Sequence, residues 1–306
     1  MESIPQPLPE LRPFWRFLLY LAIVWVLSTA KNILLELFFD PATAANSPRF
    51  LFVEELTAFA VVYGAALVLS RIERTPASSY GLPVTRAFGK HFWQGCLFGL
   101  CEVSLLIGAL AALGGYSFGS LALHGLAIVR WTGEWAAIFL FVGLFEEFAY
   151  RGYTLHTLGQ SIGFWPAALL LGAYFGFEHS HNPGESLPGE IGVVLISLLF
   201  AFTLRRTGTL WLAVGWHAAF DFGETFLYSV PDSGATFPGH LSNATLHGPV
   251  WLTGGTAGPE ASIFDFLIMG VLALAFHFLY PQQPPNQAVP VASTGEDAPI
   301  PSVDAG

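Results

Sequence analysis

The sequence predicts an all-α, polytopic membrane helix bundle of about eight transmembrane helices, and three observations predict it. Hydrophobic residues make up 53% of the 306-residue chain and charged ones only 11%, whereas a soluble domain carries about 25% charged residues. Too few polar groups remain to cover a globular surface, so much of that surface faces lipid. Eight apolar stretches recur along the chain, most with the length of a spanning helix, for which about 20 residues are needed. Trp15, Trp93, Trp131, Trp135, Trp165 and Trp211 lie near predicted span ends, forming the belt that amphipathic rings make at the membrane interface.

The first stretch, Phe14–Phe39, follows a proline-rich start. It exceeds the ~7–15 apolar residues of a signal peptide and reads as a retained span. Phe50–Leu69 and Phe92–Leu113 are the second and third. Ser117–Arg130 is apolar but interrupted by glycine and histidine, which predicts a membrane-surface helix or a re-entrant piece. Trp135–Leu158, Phe164–His179, Ile191–Leu204, Leu210–Val230 and Ile263–Tyr280 complete the set. Residues 1–280 thus form one transmembrane helical domain with its motif core at 135–230. The tail 281–306, rich in Pro, Ala, Ser and acids, is predicted to be disordered.

Basic residues orient the bundle. Arg12, Arg16, Arg71, Arg74, Arg86, Lys90, Arg205 and Arg206 fall on one side of the predicted spans, and only Arg49 and Arg130 on the other. This asymmetry predicts both termini inside and an even number of spans. The chain is expected to be an integral membrane protein, in the plasma membrane if bacterial. A net charge of −10 speaks against nucleic acid, which requires a clustered basic face. Cys96 and Cys101 share one apolar segment and imply neither a disulfide framework nor a thiolate metal site. The oligomeric state is left open.

An ionisable residue inside a span is expensive, which makes each one a functional candidate. In the fourth span Glu147 and Arg151 are four residues apart, share a helix face and pair in favourable order. Glu146 points about 100° away and needs a different partner. The fifth span ends with Phe175 and His179 on one face, and the seventh places His217 and Asp221 at the same spacing. An Asp–His pair fixes a tautomer, stabilises a protonated ring or binds a metal. Glu54, Glu55, Glu102 and Lys31 also fall in or near spans and are expected to be structural or substrate-side. Glu54 and Glu55 are placed to snorkel to water at the outer end.

Peptide hydrolysis within a membrane needs water at the scissile bond, a base to take its proton and stabilisation of the oxyanion. Glu146 with His179 suits the first two tasks, and His217 with residue 221 the third. No GxSxG elbow occurs, and neither cysteine is patterned with a histidine; direct attack by activated water is therefore favoured over a covalent route.

EExxxR at Glu146–Arg151, FxxxH at Phe175–His179 and HxxxD at His217–Asp221, in that order on three apolar segments, resemble the CPBP family. That family contains the CAAX prenyl proteases and the bacteriocin-processing or self-immunity proteins, and is also called ABI. The resemblance covers about Trp135 to Val230. It implies Glu146 and His179 as the water-activating pair, His217 and Asp221 as the oxyanion side, and Glu147, Arg151 and Phe175 as supporting residues. It implies an intramembrane endopeptidase acting on a membrane-associated peptide or protein, either prenylated and CAAX-type or hydrophobic.

One position departs from the pattern: many eukaryotic CAAX enzymes carry asparagine where this chain has Asp221. Ionised aspartate cannot donate a hydrogen bond, so Asp221 is either protonated or orients a protonated His217. No cofactor is expected to be required. Were a divalent metal such as zinc held, Glu146, His179 and His217 would be its ligands. Two other readings use the same residues, a proton-coupled transporter and a catalytically silent immunity or binding protein. Against the transporter, the sequence shows neither repeated halves nor broken helices.

Overall fold

Prolines start the first two helices. In the computed structural model, which describes residues 12–40 and 47–281, α1 (Pro13–Glu36) and α2 (Pro48–Glu73) each open with proline. At that position its missing N–H is no loss and its fixed φ suits the helix. α3 (Lys90–Ala112) follows two short 3-10 turns. α4 (Leu126–Arg151) stops at Gly152, where a Cβ would lie 2.5 Å from the Phe148 carbonyl oxygen. The chain restarts as α5 (Tyr153–Ile162) and then, beyond Gly163, as α6 (Phe164–His179). The predicted fourth span, Trp135–Leu158, is thus two helices joined at a glycine.

α7 (Leu187–Thr207) begins where the Ser186 hydroxyl accepts a hydrogen bond from the Gly189 N–H, and ends at Gly208 in the left-handed region, so both ends are capped. α8 (Trp211–Phe222) runs directly into a π-turn, Gly223–Leu227. A long loop carrying α9 (Val250–Thr253) leads to α10 (Ile263–Leu279).

Among the described residues five segments are long and apolar enough to cross a membrane: α1, α2, α3, the run Leu126–Ile162 and α7. α6, α8 and α10 are shorter, with 16, 12 and 17 residues. Large apolar side chains such as Trp25, Leu37, Val271 and Phe278 are exposed, as lipid-facing residues are. The result is an all-α membrane bundle. The predicted disordered tail lies, beyond Pro281, outside the described residues.

α8 is enclosed on every side. Leu212, Ala213, Val214 and Trp216 are all fully buried, as expected for a helix apolar all round. Its neighbours approach it through glycine. A Cβ on Gly95 of α3 would sit 2.0 Å from the Leu212 carbonyl oxygen, and one on Gly99 2.2 Å from that of Trp216. Reciprocally, a Cβ on Gly215 of α8 would sit 2.1 Å from the Phe92 carbonyl oxygen. Backbone therefore meets backbone, as at small-xxx-small helix pairs. On another side, Gly143 of α4 faces the Val214 carbonyl. A helix wrapped by protein need not match the bilayer thickness.

Ser117–Arg130 is not a surface helix. β1 (Tyr116–Ser117) pairs antiparallel with β2 (Thr245–Leu246), Leu121 bridges Ser242, and Leu126–Arg130 begins α4. Gly119 and Gly125, at φ of 70° and 56°, break the helix, and a Cβ on Gly119 would collide with the Asn243 carbonyl oxygen at 2.2 Å.

Candidate active site

α4, α6, α7 and α8 pack around one another, and the three predicted motifs converge there. Glu147 and Arg151 are both buried on α4. Arg151 Nη1 donates to Glu147 Oε1 at 3.0 Å, and the same oxygen lies 2.9 Å from His217 Nδ1. A carboxylate only accepts, so Nδ1 carries the proton in this contact. Phe175 lies under the guanidinium, 4.7 Å from ring centroid to Cζ, and Phe200 stacks along the His217 ring at 5.8 Å. Edge and face of the imidazole are thereby held, and Nε2 faces Glu146 Oε2 at 3.4 Å and Asp221 Oδ2 at 3.5 Å.

His179 is the last residue of α6. Its Nδ1 lies 2.9 Å from the Phe175 carbonyl oxygen, and its ring stands edge-on to Phe175. Because a carbonyl also only accepts, the neutral ring keeps its lone pair on Nε2. Phe175 thus touches both Arg151 and His179. His179, His217 and Asp221 line one cavity of about 60 Å³, room for a few water molecules. By sequence His179 lies nearer the outer face than Glu146. The structure ends α6 at the cavity and packs the following loop against the outer loop, with Asn182 Nδ2 donating to the Ser233 carbonyl at 3.0 Å.

Glu146 and His179 do not touch; the partner of Glu146 is His217. Lys31 pairs with Glu54 at 3.0 Å. Glu55, expected to snorkel outwards, instead turns a buried oxygen inwards and lies within electrostatic reach of Glu146. Glu102 is buried and accepts a hydrogen bond from the Trp216 indole.

Sequence reasoning missed two things. One is the link from Glu147 to His217, which spacing along a single helix cannot show. The other is a second group of acids, Glu224, Asp232 and Glu260, beyond α8. Glu224 sits in an apolar run and carried the same signal as Glu102; Asp232 and Glu260 are loop residues and carried none. Burial pushes the Asp232 carboxyl up to about 6, opposed by a hydrogen bond from the Thr225 hydroxyl and by the nearby His217. Burial likewise raises Glu260 well above the usual carboxylate range, with Asp232 adding to it.

Zinc needs its ligand atoms within about 2.0–2.2 Å of the ion. Among the described residues, one trio of acidic, histidine or cysteine side chains brings its ligand atoms within 4.8 Å of one another, and it is Glu224, Asp232 and Glu260. Among the described residues Glu146, His179 and His217 are not so gathered, although the Nδ1 contacts of the two histidines leave each Nε2 free and are those a metal-ligating ring also makes.

Residues 128–223 match the family model of type II CAAX prenyl endopeptidase Rce1-like proteins. This segment is Rce1-like. The match shows the resemblance carried by the three motifs. No curated protein and no solved structure matches the chain. The Rce1-like segment holds Glu146, Glu147, Arg151, Phe175, His179, His217 and Asp221, and stops one residue before Glu224.

Proposed function

We propose that the protein is an intramembrane endopeptidase that hydrolyses a peptide bond of a membrane-associated substrate with water activated at Glu146. The substrate class is a hydrophobic peptide or a prenylated, CAAX-type one. The observation that carries this reading is the unequal treatment of two adjacent carboxylates. Glu147 is occupied by Arg151 and His217 Nδ1, whereas among the described residues Glu146 has no arginine or lysine partner and faces His217 Nε2 across 3.4 Å. A carboxylate that faces a titratable imidazole rather than a permanent cation can still take a proton, as a general base must.

In this reading Glu146 takes a proton from water held between it and the Nε2 lone pair of His179 as the water oxygen bonds to the carbonyl carbon, and returns that proton to the departing amine as the C–N bond breaks. His217, fixed at Nδ1 by Glu147, donates from Nε2 to the oxyanion when doubly protonated, and Asp221 orients it. Arg151 and Phe175 keep Glu147 and the two rings in place. No step passes through a metal at Glu146. The bundle is proposed to have eight membrane segments with both termini inside, the short α6 and α8 sheltered by their neighbours, and a tail outside the helical domain.

The test is cleavage of a farnesylated test peptide, and of the same peptide unfarnesylated, by purified protein in detergent. Glu146→Gln is expected to abolish cleavage while the helical circular dichroism is retained. Full activity in that variant would sink the proposal.

A further inference from the structure

Three carboxylates converge where α8 unwinds into its π-turn. Glu224 comes from that turn, Asp232 from the start of the outer loop and Glu260 from its end, with one oxygen of each within 4.8 Å of the others. Glu224 is completely buried, and among the described residues nothing donates a hydrogen bond to either of its oxygens. Buried Glu260 Oε1 also has no donor. The remaining oxygens are oriented: Thr225 Oγ1 donates to Asp232 Oδ2 at 3.0 Å, and Ser233 Oγ to Glu260 Oε2 at 3.3 Å. The loop from Pro231 to Ala261 contains no lysine or arginine.

A buried carboxylate is paired, protonated or bound to a metal. Among the described residues no side-chain cation forms an ion pair with any of the three, and the donors are all oxygen, which selects a hard divalent ion of the calcium or manganese kind over zinc. The spacing agrees: ligands about 2.3–2.6 Å from one ion lie at most about 5 Å apart. Glu224 closes the inner side, while Asp232 and Glu260 are only partly buried and leave a way in from the outer loop.

We infer that Glu224, Asp232 and Glu260 form a binding site for a hard divalent cation that ties the outer loop to the end of α8. The site lies outside the Rce1-like segment and does not depend on the protease reading. Its ion joins the π-turn to both ends of the outer loop, and it places positive charge beside Asp232, which is within electrostatic reach of His217, Glu146 and His179.

The experiment uses the full chain in detergent, stripped with a chelator and freed of it, then titrated with Mn²⁺ by electron paramagnetic resonance and with Ca²⁺ by calorimetry. The expected result is uptake of a single Mn²⁺ per chain, displaced by Ca²⁺. Glu224→Gln and Glu260→Gln should each weaken binding at least tenfold, while Glu146→Gln leaves it unchanged. Should Glu224→Gln fail to fold, Glu260→Gln on the loop decides. No uptake of either ion at millimolar concentration by the wild-type protein would overturn the site. So would binding that survives Glu224→Gln and Glu260→Gln or disappears in Glu146→Gln.

Discussion

Two polar clusters border α8, and they are built in opposite ways. At His217 nearly every charge has a partner: Arg151 answers Glu147, Glu147 answers His217 and aromatic rings wall the group. At Glu224 three acids meet with two hydroxyls and, among the described residues, no basic side chain paired to them. The first cluster satisfies its own electrostatics and leaves one carboxylate, Glu146, at liberty for chemistry. The second is unsatisfied as a whole, which suits a bound ion. An excess of charge therefore marks a base in one place and a ligand set in the other, and the difference lies in how many neighbours are already neutralised.

The largest expected effect tests the spare carboxylate. Glu146→Gln should reduce peptide cleavage by roughly 10²–10⁴-fold, the usual contribution of a general base, with little change in unfolding temperature. Glu147→Gln should instead affect both, because Glu147 holds Arg151 and His217 together. Equal losses of activity and stability in the two variants would erase the distinction between them.

Next comes the paired side itself. Arg151→Met keeps length and apolar contact with Phe175 but strands a fully buried Glu147. Breaking a buried pair in this way costs about 3–5 kcal/mol, to be read as lowered thermal stability in detergent. Glu147→Gln combined with Arg151→Met should recover much of that loss, and an additive double variant would show that the pair is not coupled.

A smaller effect tests how α8 is held. Gly99→Ala places a methyl group against the Trp216 carbonyl, and overpacking of this kind costs about 1–3 kcal/mol. Gly108→Ala on the same helix, with open space around its Cβ position, should be neutral in the same unfolding measurement.

These glycines also show where the sequence was legible. Among the described residues hydropathy located the longer helices but neither α5 nor α9 as helices of their own, and α6 runs over the predicted Phe164–His179. Helix spacing paired Glu147 with Arg151 and grouped His217 with Asp221, because 3.6-residue geometry is local. What hydropathy cannot express is which neighbour covers an apolar helix. The stretch Leu210–Val230 reads as a full span, whereas α8 has 12 residues and ends in a π-turn, and Gly95, Gly99 and Gly143 bring α3 and α4 onto it. The same limit hid the break at Gly152, the ribbon in place of a surface helix, and the acid trio, whose members lie 8 and 28 residues apart along the chain.

The smallest expected effect concerns Asp221, which stands between the two clusters, lining the active-site cavity and within electrostatic reach of Glu224. Asp221→Asn removes a charge but keeps an oxygen that can accept from His217 Nε2 and adds a donor that can face an oxyanion. Cleavage should therefore stay within about tenfold of wild type, whereas Asp221→Ala, which loses the 3.5 Å contact with His217 altogether, should fall by more than that. Turnover measured for both variants separates the two roles open to this residue. Activity retained in the asparagine variant means that a correctly placed oxygen or amide suffices. Loss as severe as in the alanine variant means that the negative charge is required to hold a protonated His217, and the partnership of charges that defines the first cluster then extends one helical turn further along α8.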